Sequence, residues 1–113
     1  MRSVNDRRAH PRATLQVPCV VDAGSCWLQA RCCNISAGGL AVQTETRFAI
    51  GTLVELYFEL PPAIGIDAKA EVVRVDGNTL ALRFLELPHE SLIAIRAYAR
   101  AARLRERSDL AVG

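Results

Sequence analysis

The spacing of apolar and polar residues changes period once along the chain. From Ala13 to Val21, Leu15, Val17, Cys19 and Val21 alternate with Thr14, Gln16, Pro18 and Val20, the period-two signature of a half-buried strand. Pro18 has no N–H for a ladder, so this strand is expected at a sheet edge or beside a bulge. Asp22-Ala23-Gly24-Ser25 reads as a turn. A second strand is expected over Trp27–Ile35, with Leu28, Ala30, Cys32 and Asn34 on one face and Trp27, Gln29, Arg31 and Cys33 on the other. Ser36–Gly39 breaks the pattern, and Leu40–Thr44 resumes it as a short third strand. Val54, Leu56, Phe58 and Leu60 alternate with Leu53, Glu55, Tyr57 and Glu59 in a fourth strand, which Pro61-Pro62 ends. Ile66–Val75 makes a fifth, where Val73 and Val75 depart from the alternation of Ile66, Ala68, Ala70 and Val72. Asp76-Gly77 predicts a tight hairpin into a sixth strand, Thr79–Leu85.

Beyond Pro88 the period becomes helical. Leu92, Ile95, Ala99 and Ala102 form an apolar stripe on a helix over Glu90–Arg107. Arg96, Arg100, Arg103 and Arg107 form a basic stripe beside it, read as a solvated face, with docking to an acidic partner or anionic lipid as the functional alternative. Trp27 and Tyr98 are read as packing residues. Short strands with regular turns followed by one helix predict an all-β fold, a six-stranded antiparallel barrel with a C-terminal α-helix. A barrel is favoured over a sandwich because closure leaves no exposed edges.

The 113 residues suffice for one domain. Residues 1–12 are read as a flexible basic arm, 13–107 as barrel plus helix and 108–113 as a frayed tail. The formal net charge of +2 suggests no strong field, but the charges are unevenly placed. Residues 1–12 hold four arginines and one aspartate. Residues 13–90 hold five basic and nine acidic groups. Residues 91–113 hold five arginines against Glu106 and Asp109.

No apolar run approaches the roughly 20 residues of a membrane span. No apolar run follows the N-terminal arginines, so no signal peptide is read and a cytoplasmic location is expected. Cys19, Cys26, Cys32 and Cys33 are then expected as free thiols, small core residues by default. Zinc sites leave about two to four residues between paired cysteines, whereas Cys32 and Cys33 are adjacent and would point to opposite faces of a strand. Catalysis has no support either. The histidines are His10 and His89, and no hydrolase triad signature, metalloprotease helix motif or phosphate-binding glycine loop occurs. No enzyme, cofactor or metal is expected.

Two polar segments stand apart from the strand pattern. Asp6-Arg7-Arg8-Ala9-His10-Pro11-Arg12 offers guanidinium forks, which grip phosphate bidentately and stack on flat rings. Asn34-Ile35-Ser36-Ala37-Gly38-Gly39 offers short polar side chains and a glycine-permitted close backbone approach. Read singly, the first is a solvated tail and the second an ordinary turn.

The order Arg8-x-x-x-Arg12, about twenty residues of β pattern, then Asn34-x-Ser36-x-x-Gly39 resembles the PilZ domain family. Pro11 before the second arginine, Gly51 before an apolar strand, the late hairpin and the terminal helix fit the resemblance, which covers about Asp6 to Arg103. It implies a receptor for the bacterial second messenger cyclic di-GMP. Arg8 and Arg12 would hold phosphate and stack on or bond guanine, with Asn34, Ser36, Gly38 and Gly39 facing the ligand from the barrel. Asp is commoner in the family where Asn34 stands; Asn keeps an acceptor and loses the charge. Arg7 occupies the position associated with binding one ligand or a stacked pair, so a ligand dimer is plausible. Ordering of the arm on binding would then signal to an unidentified downstream protein. Two other readings compete: a barrel adaptor that binds protein without nucleotide, and a nucleic-acid-binding barrel. The second is disfavoured by an acidic barrel and by the scarcity of aromatics, three Phe, two Tyr and one Trp, so no nucleic acid is expected.

Overall fold

The computed structural model describes residues 12–112. Residues 1–11, with Arg7, Arg8 and His10, and the side chains beyond Arg105, Arg107 among them, lie outside the described residues. Among the described residues seven strands precede one helix: β1 (Ala13–Thr14), β2 (Pro18–Asp22), β3 (Trp27–Ser36), β4 (Gly39–Gln43), β5 (Leu53–Leu60), β6 (Ile64–Asp76), β7 (Thr79–Glu86) and α1 (His89–Val112). All pairings are antiparallel. The strand order β1-β3-β2-β5-β6-β7-β4, with β4 pairing back onto β3, closes a six-stranded barrel and leaves β1 as an extra strand on β3. The all-β barrel with a C-terminal helix is therefore the architecture of the chain.

The expected first strand is split in two. Both parts pair with β3 on the side opposite β4, through Ala13 with Ile35 and Thr14 with Asn34, then Pro18 with Arg31. Between them, residues 15–17 stand against only 32–33, the excess residue of a bulge. Pro18 thus lies beside an irregularity, as its missing N–H requires, but not at an edge, because β5 covers the other side of β2.

Two more irregularities explain where the apolar pattern loses its phase. The register of β3 against β4 shifts between Cys32 and Asn34, and that of β6 against β7 shifts between Val72 and Arg74. Cys33 and Val73 are the extra residues. A bulge moves every later side chain to the other face. Asn34, expected on the face of Leu28, Ala30 and Cys32, is turned outward, and Ile35 enters the core instead, fully buried. Val73 is left exposed, and Val75 returns towards the interior. At the late hairpin, Asp76 pairs with Thr79, so the two central residues are Gly77-Asn78 rather than Asp76-Gly77. Gly77 takes φ 64°, and among the described residues no non-glycine residue has positive φ, the pattern of a turn with glycine first.

Phe58, Leu60, Ile66, Val72, Leu80 and Val42 fill the barrel, each almost wholly buried. A buried side chain of this size stabilises by roughly 1.5–3 kcal/mol over exposure. Helix α1 covers the barrel with Ile95, Ala99 and Ala102, packing on β1, β3 and β6. Tyr98 packs there too, and its hydroxyl donates to the Thr14 carbonyl at 3.0 Å. Trp27 does not pack as expected: it is 67% exposed at the start of β3. The helix runs past the expected end at Arg107 to Val112, because no proline or glycine intervenes before Gly113. No helix among the described residues is long and apolar enough to cross a membrane.

All four cysteines are free. Cys19 and Cys32 are buried, Cys33 is half-buried on its bulge, and Cys26 is exposed rather than a core thiol. Hydrogen bonding to the Cys19 thiol, then burial, raises the pKa of Cys32, so Cys32 stays a thiol at neutral pH.

Candidate ligand-binding site

The β1–β3 pairing brings Arg12, the described end of the first polar segment, to the second. Ala13 faces Ile35, and both point into the core. Carrying that register back one residue sets Arg12 opposite Ser36, with both on the outer face beside Thr14 and Asn34. Residues more than twenty apart in sequence thus meet because one short strand lies along the end of a longer one.

The hairpin between β3 and β4 is tight. Ser36 pairs with Gly39, leaving Ala37 and Gly38 as its tip. The Gly38 N–H donates to Ser36 Oγ at 3.2 Å, so the hydroxyl proton remains available to a ligand. Phe84 donates its N–H to the Gly38 carbonyl at 2.9 Å, which holds the tip against β7. Gly39 is required sterically. A Cβ there would run into the Leu82 carbonyl oxygen and lie 3.1 Å from Arg83 Cα, both backbone atoms that cannot move aside alone.

Successive pairings extend these contacts into two rows across the outer surface. One row runs from Ser36 to Gly39, Arg83 and Glu71 across β3, β4, β7 and β6. The next runs from Asn34 to Ala41, Ala81 and Arg74. Small residues at the centre leave a flat floor. Asn34 and Ser36 stand on one side, Arg74 and Arg83 on the other, and Arg12 at the margin. The cleft so formed has a volume of about 330 Å³ and is lined by Arg12, Asn34, Ser36, Gly38 and Gly39 together with Arg74, Thr79 and Arg83. Of the seven residues singled out in the sequence, the five that are described all line this one cleft. Arg7 and Arg8 lie outside the described residues.

Among the described residues no acidic side chain lines the cleft, while three arginines do. Arg83 is paired with Glu71 Oε1, a carboxylate just outside, which fixes the guanidinium along the wall. Cys33, on the bulge beside Asn34, has its pKa raised by burial and the neighbouring Cys32, against the opposing influence of Arg31, and so adds no negative charge at neutral pH. A floor without bulk between planar cations accepts a flat, anionic ligand: rings lie on the small residues and stack on guanidinium planes, and phosphates take the forked N–H groups.

Arg74, Arg83 and the floor of Ala41 and Ala81 were not found by sequence reading. Their one signal is local. Val72-Val73 puts two apolar residues side by side in an alternating strand, which is what a bulge looks like in sequence, and the bulge places Arg74 against Ala81. The barrel middle, acidic in total, is basic at this point.

A family model described as PilZ domain matches residues 6–101. No curated protein matches the chain by sequence. Among solved structures, the chain is similar to the Bacillus subtilis inhibitor of motility MotI/DgrA, with a TM-score of 0.82 and 23% identity over 89% of this chain and 53% of that one. It is similar to the PilZ domain with c-di-GMP of YcgR from Escherichia coli, with a TM-score of 0.71 and 16% identity over 92% and 97% of the two chains. It also resembles the Borreliella burgdorferi PlzA protein in complex with c-di-GMP, with a TM-score of 0.61 and 16% identity over 83% and 41%. At these identities the structural likeness speaks for the fold. The chain spans about half the length of the MotI/DgrA chain and nearly all of the isolated YcgR domain. Because one family's sequence pattern extends from Asp6 to Ala101, through every strand of the barrel and half of the helix, the chain belongs to the PilZ domain family.

Proposed function

We propose that this chain is a cytoplasmic receptor for cyclic di-GMP that acts by binding and not by catalysis. The observation that carries the reading is the convergence of Arg12, Asn34, Ser36, Gly38 and Gly39 on one cleft, with Arg74 and Arg83 as its far wall. The ligand has two phosphates and two flat bases, which is the chemistry the cleft accepts. One guanine lies over Gly39, Ala41 and Ala81, with its edge towards Asn34 and Ser36. The phosphates engage Arg12 and the arm arginines Arg8 and Arg7, and Arg74 and Arg83 complete the cationic surround. Each charge-assisted hydrogen bond contributes about 1.5–3 kcal/mol before the cost of ordering is subtracted.

The signal is a change in the arm. Bridged by phosphate to the barrel, residues 1–12 exchange many conformations for one, and the surface so made engages an unidentified downstream protein. Arg7 beside Arg8 supplies a cation for a second stacked ligand.

Calorimetric titration with cyclic di-GMP tests the reading. Wild type is expected to bind at micromolar concentrations or below, and Arg8→Ala and Arg12→Ala each to lose tenfold or more, since each removes a charged contact worth over about 1.4 kcal/mol. Absence of binding by the wild type at these concentrations overturns the proposal.

A further inference from the structure

Away from the cleft, the outer surface of the barrel has the opposite charge. Consecutive pairings set Trp27, Asp22, Glu55, Lys69 and Glu86 in one row across β3, β2, β5, β6 and β7. Lys69 is neutralised by Glu86 at 3.6 Å, which leaves Asp22 and Glu55 side by side without a cation between them. The row also carries exposed apolar surface: Trp27 is 67% exposed, and Leu53, two residues from Glu55 on the same strand face, is 63% exposed. Exposed apolar area thus lies next to the two carboxylates, Trp27 beside Asp22 and Leu53 near Glu55.

Helix α1 has the complementary character on the face turned away from the barrel. Arg96, Arg100 and Arg103 are exposed there, flanked by Ile93 at 54% and Leu104 at 56% exposure. The local spacing agrees. Arg96 and Arg100 are one turn apart, about 6 Å along the helix, and Asp22 and Glu55 are one strand spacing apart, about 5 Å.

We propose that the exposed face of α1 in one copy docks across the acidic row of a second copy, with Arg96 and Arg100 meeting Asp22 and Glu55, and Ile93 and Leu104 meeting Trp27 and Leu53. The occupant is a second copy because the chain itself supplies both halves of the match, in charge and in apolar anchors. The two faces differ, so the contact is head-to-tail, and each copy keeps one free half on which another can add. Exposed ion pairs are individually weak and screened by salt, so the association is reversible, grows with concentration and is lost at high ionic strength. It does not depend on the ligand cleft.

Sedimentation velocity at low salt, across micromolar to millimolar protein, tests this on the full chain with two double variants, Arg96→Glu with Arg100→Glu and Asp22→Arg with Glu55→Arg. All four positions are exposed, so both variants are expected to fold, the second melting a few degrees lower because Asp22→Arg removes the acceptor for the Gly24 N–H. The wild type is expected to form oligomers that molar salt disperses. Each variant alone is expected to associate about tenfold more weakly or worse, and an equimolar mixture of the two to recover association, because each then offers the other's complement. A wild type that stays monomeric, or oligomers that neither variant weakens, overturns the proposal. A monomeric wild type that binds a basic polypeptide such as polylysine through Asp22 and Glu55 also overturns it and assigns the face to a different, basic partner.

Discussion

Gly39 shows how one residue serves both the fold and the site. Its backbone is not left-handed, so its requirement is space and not conformation. It sits where β4 meets β7 closely enough that a methyl group would strike the Leu82 carbonyl. Gly39→Ala must separate the two strands and is expected to destabilise the barrel by about 1–3 kcal/mol, measurable by urea denaturation, and to weaken cyclic di-GMP binding by deforming the floor. Unchanged stability would mean the strands yield more easily than their backbone contacts indicate. At this scale the sequence was informative wherever a residue type is chemically restrictive. Arg12, Asn34, Ser36, Gly38 and Gly39 carry recognisable chemistry within short windows. Arg74 and Arg83 do not, because an arginine on an outward strand position looks the same whether it faces water or a ligand. Only the pairing of β4 with β7, some forty residues apart in sequence, decides which.

Among the elements, β6 is the most instructive. Its even-numbered apolar residues run inward from Ile66 to Val72, then Val73 intrudes and the phase moves by one. Removing Val73 would place Arg74 directly after Val72 and restore an unbroken alternation through Val75. The flanking pairs, Val72 with Leu82 and Arg74 with Ala81, would become consecutive steps of an ordinary ladder. A chain lacking Val73 is therefore expected to fold with a melting temperature close to the wild type while binding cyclic di-GMP about tenfold more weakly, because the bulge and its local twist aim Arg74 at the floor. Thermal melting and titration of the same sample check both halves; unaltered affinity would remove the bulge from the site. The same device accounts for what was hardest to read in the sequence. A pattern with period two can be read forwards only until an extra residue resets it. Cys33 resets the faces of β3, the two adjacent valines of β6 mark Val73, and Pro18 marks the break between β1 and β2.

For the whole molecule, a net charge of +2 conceals a bipolar surface. The cleft wall is basic, the row through Asp22 and Glu55 is acidic, and the far face of the helix is basic again. A receptor that binds its ligand in the folded state only must be stabilised by it. With cyclic di-GMP at a hundredfold over Kd, linkage gives about 2.7 kcal/mol, a rise in melting temperature of about ten degrees for a domain of this size. Differential scanning fluorimetry with and without ligand checks this, and no shift at saturating ligand would show that the folded state is not preferred. Barrel closure was expected from the cost of open edges, and the strand order bears that out. The meeting of Arg12 with the second polar segment was legible only through family resemblance, because nothing local in residues 6–12 says that the next two residues will lie along β3.

The single bond from Tyr98 to the Thr14 carbonyl reaches across 84 residues of sequence. It fastens the helix to the strand that begins immediately after Arg12, so the arm and the helix share an anchor. On the reading proposed above, a ligand held by Arg12 would sit one residue from the strand to which the helix is tied, and β1 would then be the shortest link between cleft and helix.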